Sequence, residues 1–357
     1  MSKVAVIGLG FVGLTTALGF AAKGHEVAGV ESGERRRADL EAGRVPFHEP
    51  GLAEALADCL GDTFAVTGDL AGAVRGADAV FVCVGTPSGD DGAADLTHLD
   101  AAVAQVLDAV RDEAVKPVLV VKSTVPPGTT AGHVAGLVAG TGVPVAANPE
   151  FLREGVAWDD FMHPDRIVIG CEDPRAAEVL QRLYDAFDAD VCVVSLTTAE
   201  FIKYLSNTLL ATLVSYANEM SMIADGLGDV DVPAAFRILH RDRRWSGHPA
   251  AMASYAYPGA GFGGYCLPKD TAALAARARM LGVEPRILDG VLAVNVAIAE
   301  HVADRIAEAA GGGVVSLLGL AFKPGSDDVR EAPTAAVVRA LAARGVARLL
   351  AYDPMAA

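Results

Sequence analysis

The chain runs to 357 residues, room for about two domains that each bury a core of their own. Its 45 acidic and 29 basic residues give a formal net charge of −16, so net repulsion excludes a general nucleic-acid binder. A hydrophobic content of 52% excludes a disordered chain. With no long apolar run, neither a membrane span nor a signal peptide is expected. Five scattered cysteines (Cys59, Cys83, Cys171, Cys192 and Cys266) form no CxxC pair and no metal spacing; a set so odd and sparse suits a reducing cytoplasm, and no metal is expected. Any phosphate-bearing ligand must then be held locally, by helix N-termini and placed Lys or Arg.

Residues 3–7 read as a buried strand, followed by Gly8-Leu9-Gly10-Phe11-Val12-Gly13 and an apolar helix to about Lys23. A second strand over 26–30 ends on Glu31, 18 positions after Gly13. This is a βαβ unit with GxGxxG at its first turn. Gly8 makes the tight turn, Gly10 lets a pyrophosphate approach the backbone, and Gly13 lets helix and strand pack. Glu31 would take a ribose 2′-hydroxyl and repel a 2′-phosphate, so NAD is expected over NADP, although Arg35, Arg36 and Arg37 follow closely.

Strands over 79–84, 118–122 and 143–147 each run into a polar loop: Gly85-Thr86-Pro87-Ser88, then 123–128, then 148–155. Ligands of open parallel sheets sit beyond the carboxyl ends of strands, where these loops fall. Further strands over 166–170 and 190–195 close a first domain, residues 1–195. A helical pattern then runs from about 197 to 226 without a proline, reading as a spine between domains or a dimerisation element. Glu200, Lys203 and Asn207 share one of its faces, and Glu200 with Lys203 also has i,i+3 ion-pair spacing. Helical stretches over 271–281 and 287–309 complete a central segment, 196–310. A strand over 314–318, a helix over 335–343 and a strand over 349–352 form a second α/β unit, 311–357, which reads as only part of a domain.

The segment Gly261-Phe262-Gly263-Gly264-Tyr265-Cys266-Leu267-Pro268-Lys269-Asp270 concentrates the chemistry. Its glycines remove side chains where a ligand or another backbone comes close. A thiol follows at once, with a cation at Lys269 to favour the thiolate. A tight turn holding an inert cysteine is the plain alternative.

Six motifs occur in order: GLGFVG at 8–13, GTPS at 85–88, STVPPGTT at 123–130, NPEFLREG at 148–155, FGGYCLPKD at 262–270 and GLAFKPGSDDVRE at 319–331. On these the chain resembles the nucleotide-sugar dehydrogenases, the UDP-glucose 6-dehydrogenase and GDP-mannose 6-dehydrogenase group, over essentially its whole length. The resemblance implies a Rossmann-like doubly wound parallel sheet, a long central helix and a second Rossmann-like domain. It implies oxidation of a sugar primary alcohol to a carboxylate with two NAD+, for polysaccharide biosynthesis.

By the resemblance, Cys266 attacks the aldehyde to give a thiohemiacetal and then a thioester that water hydrolyses. Lys203 and Asn207 steady the oxyanion. Asp270 activates water that Thr124 holds, and Glu150 does acid–base work. Gly8, Gly10, Phe11, Val12, Gly13, Glu31, Arg36, Thr86, Thr124, Glu154 and Arg330 match positions that contact NAD. Glu150, Phe151, Leu152, Arg153, Glu154, Lys203, Asn207, Gly261, Phe262, Gly263, Phe322 and Lys323 match substrate contacts. Arg244 matches an arginine that reaches into the neighbouring subunit's site, which implies a homodimer.

Two departures stand out. Residues 245–260 are several residues longer than the usual UDP-glucose pattern, and by the resemblance this segment helps line the sugar and nucleotide pocket. The pattern after Tyr352-Asp353-Pro354 stops short of the family's usual second domain. UDP-glucose is the expected substrate, with GDP-mannose or another nucleotide sugar next. A one-step hydroxyacid dehydrogenase and a non-catalytic nucleotide-binding subunit are the other readings; Arg330 has an alternative partner in Asp327 or Asp328, and Cys83 reads as core packing.

Overall fold

The computed structural model describes residues 1–242, 258–280 and 284–356. They form two compact units: Met1–Gly89 with Ala94–Lys203, and Asp90–Ala93 with Tyr204–Ala357.

The first unit is built on an eight-stranded sheet ordered β3-β2-β1-β4-β5-β6-β7-β8. The strands are β1 Lys3–Ile7, β2 Glu26–Val30, β3 Phe64–Thr67, β4 Ala79–Val82, β5 Val118–Val121, β6 Val145–Ala147, β7 Ile167–Cys171 and β8 Val191–Val194. β1, β4 and β5 are continuous apolar runs because helices cover both faces of a parallel sheet. Successive residues feed opposite cores. Val4, Val6, Phe81, Val118 and Val120 join Phe20 and Ile169 on one face. Ala5, Ile7, Val80, Val82, Leu119 and Val121 pack on Leu99 and Val103 on the other.

The sheet departs from the expected reading in three places. β3 carries no strong pattern and was not anticipated. β6 begins at Val145, two residues late, because Pro144 has no N–H to offer the ladder; only its carbonyl oxygen is used, accepting from the Leu119 N–H at 2.9 Å. β7 pairs antiparallel with β6, and β8 runs parallel to β7, so the last two strands point the other way. The helix Leu196–Leu227 therefore starts at the edge of the sheet away from the polar loops and runs back towards them. It lies close over β7 at Gly170, where a Cβ would stand 2.6 Å from the Ala199 Cβ.

The second unit continues that 32-residue helix and adds helices Val232–Leu239, Cys266–Met280 and Arg286–Ala310. β9 Val315–Leu318 and β10 Leu349–Tyr352 pair in parallel around the helix Pro333–Ala343. Ala299, Ala303, Val315, Val337, Ala340 and Leu341 form their core. The helix expected from 271 begins five residues earlier, at Cys266. Pro268 lies in its first turn, where a proline costs no intrahelical hydrogen bond. No described helix is long and apolar enough to cross a membrane.

Candidate active site

In the first unit the glycine-rich turn has the geometry a dinucleotide requires. Gly8 has φ +88° and sits against the Cys83 carbonyl oxygen, where a Cβ would come within 2.9 Å. A Cβ on Gly13 would meet the Gly8 carbonyl oxygen at 1.8 Å, so helix and turn pack only without one. At Gly10 a Cβ would meet nothing within 4 Å. That open side lies at the cap of the helix Phe11–Ala22, whose first turn holds Phe11 and Val12 and whose free N–H groups suit a pyrophosphate. Glu31 is buried and braces the turn, accepting from Leu9 N at 3.2 Å and Gly33 N at 2.8 Å. Arg36 stands 3.5 Å from the same carboxylate, while Arg37 donates to the Glu31 carbonyl oxygen. The Arg cluster thus has partners around Glu31.

The loops after β4, β5 and β6 hold a second group. Thr86 Oγ1 donates to the Thr124 carbonyl oxygen at 2.7 Å, tying two of these loops together. Thr124, Pro149, Glu200 and Lys203 line a small pocket of about 10 Å³, room for about one water molecule. Lys203 Nζ lies 2.8 Å from Glu150 Oε1, with both side chains buried. Burial pushes the Glu150 carboxyl up, but the Lys203 ammonium, the Leu152 N–H at 2.6 Å and the charge of Lys122 outweigh it and hold Glu150 below the ordinary range. Glu150 is therefore a carboxylate at neutral pH. Phe151 packs under the Arg166 guanidinium, 4.2 Å from its ring centre. Arg153 grips Asp160 through Nε and Nη2, and Glu154 is half-buried.

Glu200 does something the helical spacing did not suggest. Its carboxylate accepts from Gly128 N at 2.6 Å and Thr130 N at 2.7 Å, capping the π-helical turn Thr129–Val134. It serves the backbone of the STVPPGTT loop, and Lys203 turns to Glu150.

In the second unit Cys266 is exposed in the first turn of the helix Cys266–Met280, a position that favours a thiolate. One turn on, Asp270 is fully buried, accepting from Asn207 Nδ2 at 2.5 Å and Lys269 Nζ at 2.6 Å. Of the two uses expected for the glycines before Cys266, a close ligand or a close backbone, the structure shows Gly263 and Gly264 admitting the chain's own later segment. A Cβ on Gly263 would meet the Glu331 carbonyl oxygen at 2.2 Å, and one on Gly264 (φ +76°) would meet the Phe322 ring at 2.8 Å. Phe322 and its neighbour Lys323 are thus brought to the cysteine loop. Arg330 clasps Asp328 and stacks its guanidinium 4.8 Å from the Tyr265 ring centre. Gly261 and Phe262 are fixed by Asn295, whose side chain accepts from Phe262 N at 2.7 Å and donates to its carbonyl oxygen at 3.0 Å. Arg244 lies outside the described residues.

Three residues escaped the sequence reading. Asn295 was hidden in a helical pattern. Glu49, buried, accepts from Gly155 N and Ala157 N at 2.8 Å, clamping the far end of the 148–155 loop. Its partners lie more than a hundred positions away, so no local signal exists. Lys122, which the sequence offers only as a strand end, is buried and donates to Asn148, two residues before Glu150.

The sequence models of the UDP-glucose/GDP-mannose dehydrogenase family match in order: its NAD binding domain at residues 2–188, its central domain at 197–297 and its UDP binding domain at 316–357. The chain is 41% identical to a UDP-glucose 6-dehydrogenase of Pseudomonas aeruginosa over 99% of this chain and 79% of that protein. It is 37% identical to a GDP-mannose 6-dehydrogenase of Pseudomonas syringae pv. syringae, over 96% of this chain and 79% of that one. A solved UDP-glucose dehydrogenase from Pyrobaculum islandicum superposes with a TM-score of 0.92 at 44% identity, covering all of this chain and 82% of the other. The open face at Gly10 and the braced Glu31 fit the cofactor named for that first domain, NAD. With matches running through all three domains, the chain belongs to the UDP-glucose/GDP-mannose dehydrogenase family of NAD-dependent nucleotide-sugar dehydrogenases.

Proposed function

We propose that the chain oxidises UDP-glucose to UDP-glucuronate at C6 in two steps, holding the aldehyde as an adduct of Cys266. The observation that carries this reading is an exposed thiol at a helix N-terminus with a fully buried, doubly held carboxylate, Asp270, one turn behind it. Uracil is favoured as the base by the somewhat greater likeness to UDP-glucose dehydrogenases, 41% and 44% identical, than to the GDP-mannose enzyme at 37%.

In the first unit Gly8, Gly10, Gly13, Glu31 and Thr86 would hold NAD+, two bound in succession to supply one hydride acceptor for each oxidation. Glu150, ionised, accepts the proton of the sugar hydroxyl, directly or through water. Lys203 holds the resulting oxygen charge, and Thr124 orders the hydrolytic water.

In the second unit the Cys266 thiolate adds to the aldehyde carbon, forming a C–S bond and an oxyanion that Asn207 helps to stabilise. After the second oxidation the adduct is a thioester. Water adds to its carbonyl, Asp270 takes the water proton, and the C–S bond breaks to return the thiolate and release the carboxylate. The 150–154 loop, Phe322 and Lys323 are assigned to the sugar and its phosphates, and Arg330 to the cofactor.

A homodimer is part of the proposal. Phe201, Leu205, Leu209 and Tyr216 repeat along one side of the long helix, each between 45% and 53% exposed, as an apolar stripe that a second copy would cover.

The test is NADH formation by the purified protein on a panel of nucleotide sugars. Two NADH per sugar, with the highest kcat/KM on UDP-glucose, is the expected result. Preference for GDP-mannose would overturn the base assignment. Binding without turnover on every sugar would favour a non-catalytic subunit.

A further inference from the structure

The mechanism above leaves a second buried cation without a task. Lys122 follows β5, is 3% exposed, and donates from Nζ to the side-chain and main-chain oxygens of Asn148 at 3.1 and 3.3 Å. Neither oxygen carries a charge. Asn148 is pinned from two further sides: it accepts from Tyr184 Oη at 2.6 Å, and its Nδ2 donates to the Val168 carbonyl oxygen at 2.8 Å. Glu150 stands two residues along the same turn.

The titratable groups around Lys122 come from four elements. They are Cys83 after β4, Glu150 after β6, Tyr184 on the helix Pro174–Tyr184, and Lys203 on the long helix. Burial pushes the Cys83 thiol up to about 12 and the Tyr184 hydroxyl higher still, so neither is an anion at neutral pH. Glu150 is thus the one anion in this group. It has Lys203 in contact and the charge of Lys122 behind it.

We propose that Lys122 is a positioning residue for Glu150, fixing the start of the 148–155 loop through Asn148 and keeping Glu150 ionised while Lys203 turns its charge to the substrate oxygen. The inference rests on the reading of Glu150 as the acid–base group. A buried carboxylate whose contact cation is drawn away tends to take up a proton. A second fixed cation opposes that without competing for the oxygen. Burial lowers Lys122 to about 8, so its charge is present at neutral pH and lost as pH rises through that value.

The experiment compares pH profiles of kcat for the wild type, Lys122→Met, Lys122→Gln and Glu150→Gln. Lys122→Gln keeps a donor for Asn148 and removes the charge, so it guards against a Met variant that folds poorly. The expected result is a kcat lower by roughly tenfold or more in both Lys122 variants, with the acid limb raised by about one pH unit. The limb near 8 should vanish, and KM for NAD+ should change less than about twofold. If both variants lose kcat with limbs at wild-type midpoints, while Glu150→Gln is crippled, Lys122 is merely structural and this inference alone is overturned. A Glu150→Gln enzyme with wild-type kcat would instead overturn the acid–base reading beneath it.

Discussion

The two units hold their charged groups by opposite means. In the first, Glu150 and Lys203 form a buried contact pair at strand ends, with Lys122 behind, and main-chain N–H groups fix Glu150, Glu200 and Glu49. In the second, the Cys266 thiol is exposed, while the Asp270 carboxylate one turn on is buried. Buried charge must be fully paired, and strand-end loops rich in free N–H groups can supply that pairing. The Cys266 thiol stands on a helix tip, open as the proposed nucleophile would have to be, while the glycine loop before it is locked by packing. The lesson is that one half is rigid by electrostatics and the other by steric fit.

The comparison can be tested by breaking each half in turn. Cys266→Ala should abolish the two-NADH stoichiometry and cut turnover by roughly 10³-fold or more, read by NADH absorbance. Its fold should survive, because the thiol is exposed. A variant still yielding two NADH per sugar would sink the covalent adduct. Lys203→Met should harm both activity and fold: stranding a buried carboxylate costs about 3–5 kcal/mol, measurable by denaturant unfolding.

The same pair makes a pH prediction. Glu150 is held below its ordinary value of 4.5, so it contributes stability above that unfolded value, and the contribution is lost as pH falls through the lower folded value. Lys203→Met should remove this acid-side slope from unfolding midpoints recorded against pH. In the steric half, Gly263→Ala would place a methyl 2.2 Å from the Glu331 carbonyl oxygen. It should cost about 1–3 kcal/mol and lower turnover, with no change in the pH profile. Smallest, Glu49→Gln keeps one acceptor for Gly155 N and Ala157 N; a loss of about 1 kcal/mol and a rise in KM larger than the fall in kcat are expected.

How far each half could be read from the chain follows from the same contrast. β1, β4 and β5 announce themselves as apolar runs, and the GxGxxG turn with Glu31 is a local pattern. So the doubly wound sheet and the cofactor loop were legible. The antiparallel turn at β7 was not, because strand direction is decided by connections and not by composition. Glu150 and Lys203 were both singled out, but their pairing joins positions 53 apart, and the spacing pointed instead to Glu200. The role of Glu200 depends on the backbone around 128–130, which no side-chain pattern encodes. At the cysteine loop the glycines were visible, but the partners that need them, Glu331 and Phe322, come from a segment some sixty residues later.

The reversal of β7 and β8 makes the long helix a ruler. It sets out from the far edge at Leu196 and reaches Glu150 seven residues later, about 10 Å of rise at 1.5 Å per residue. With Gly170 holding Ala199 close against β7, the distance is counted in whole residues and cannot be taken up by sliding. One residue inserted between Ala199 and Lys203 would carry the ammonium onward by about 1.5 Å and swing it about 100° around the helix. The count between Gly170's contact and Lys203 therefore sets where the ammonium meets Glu150.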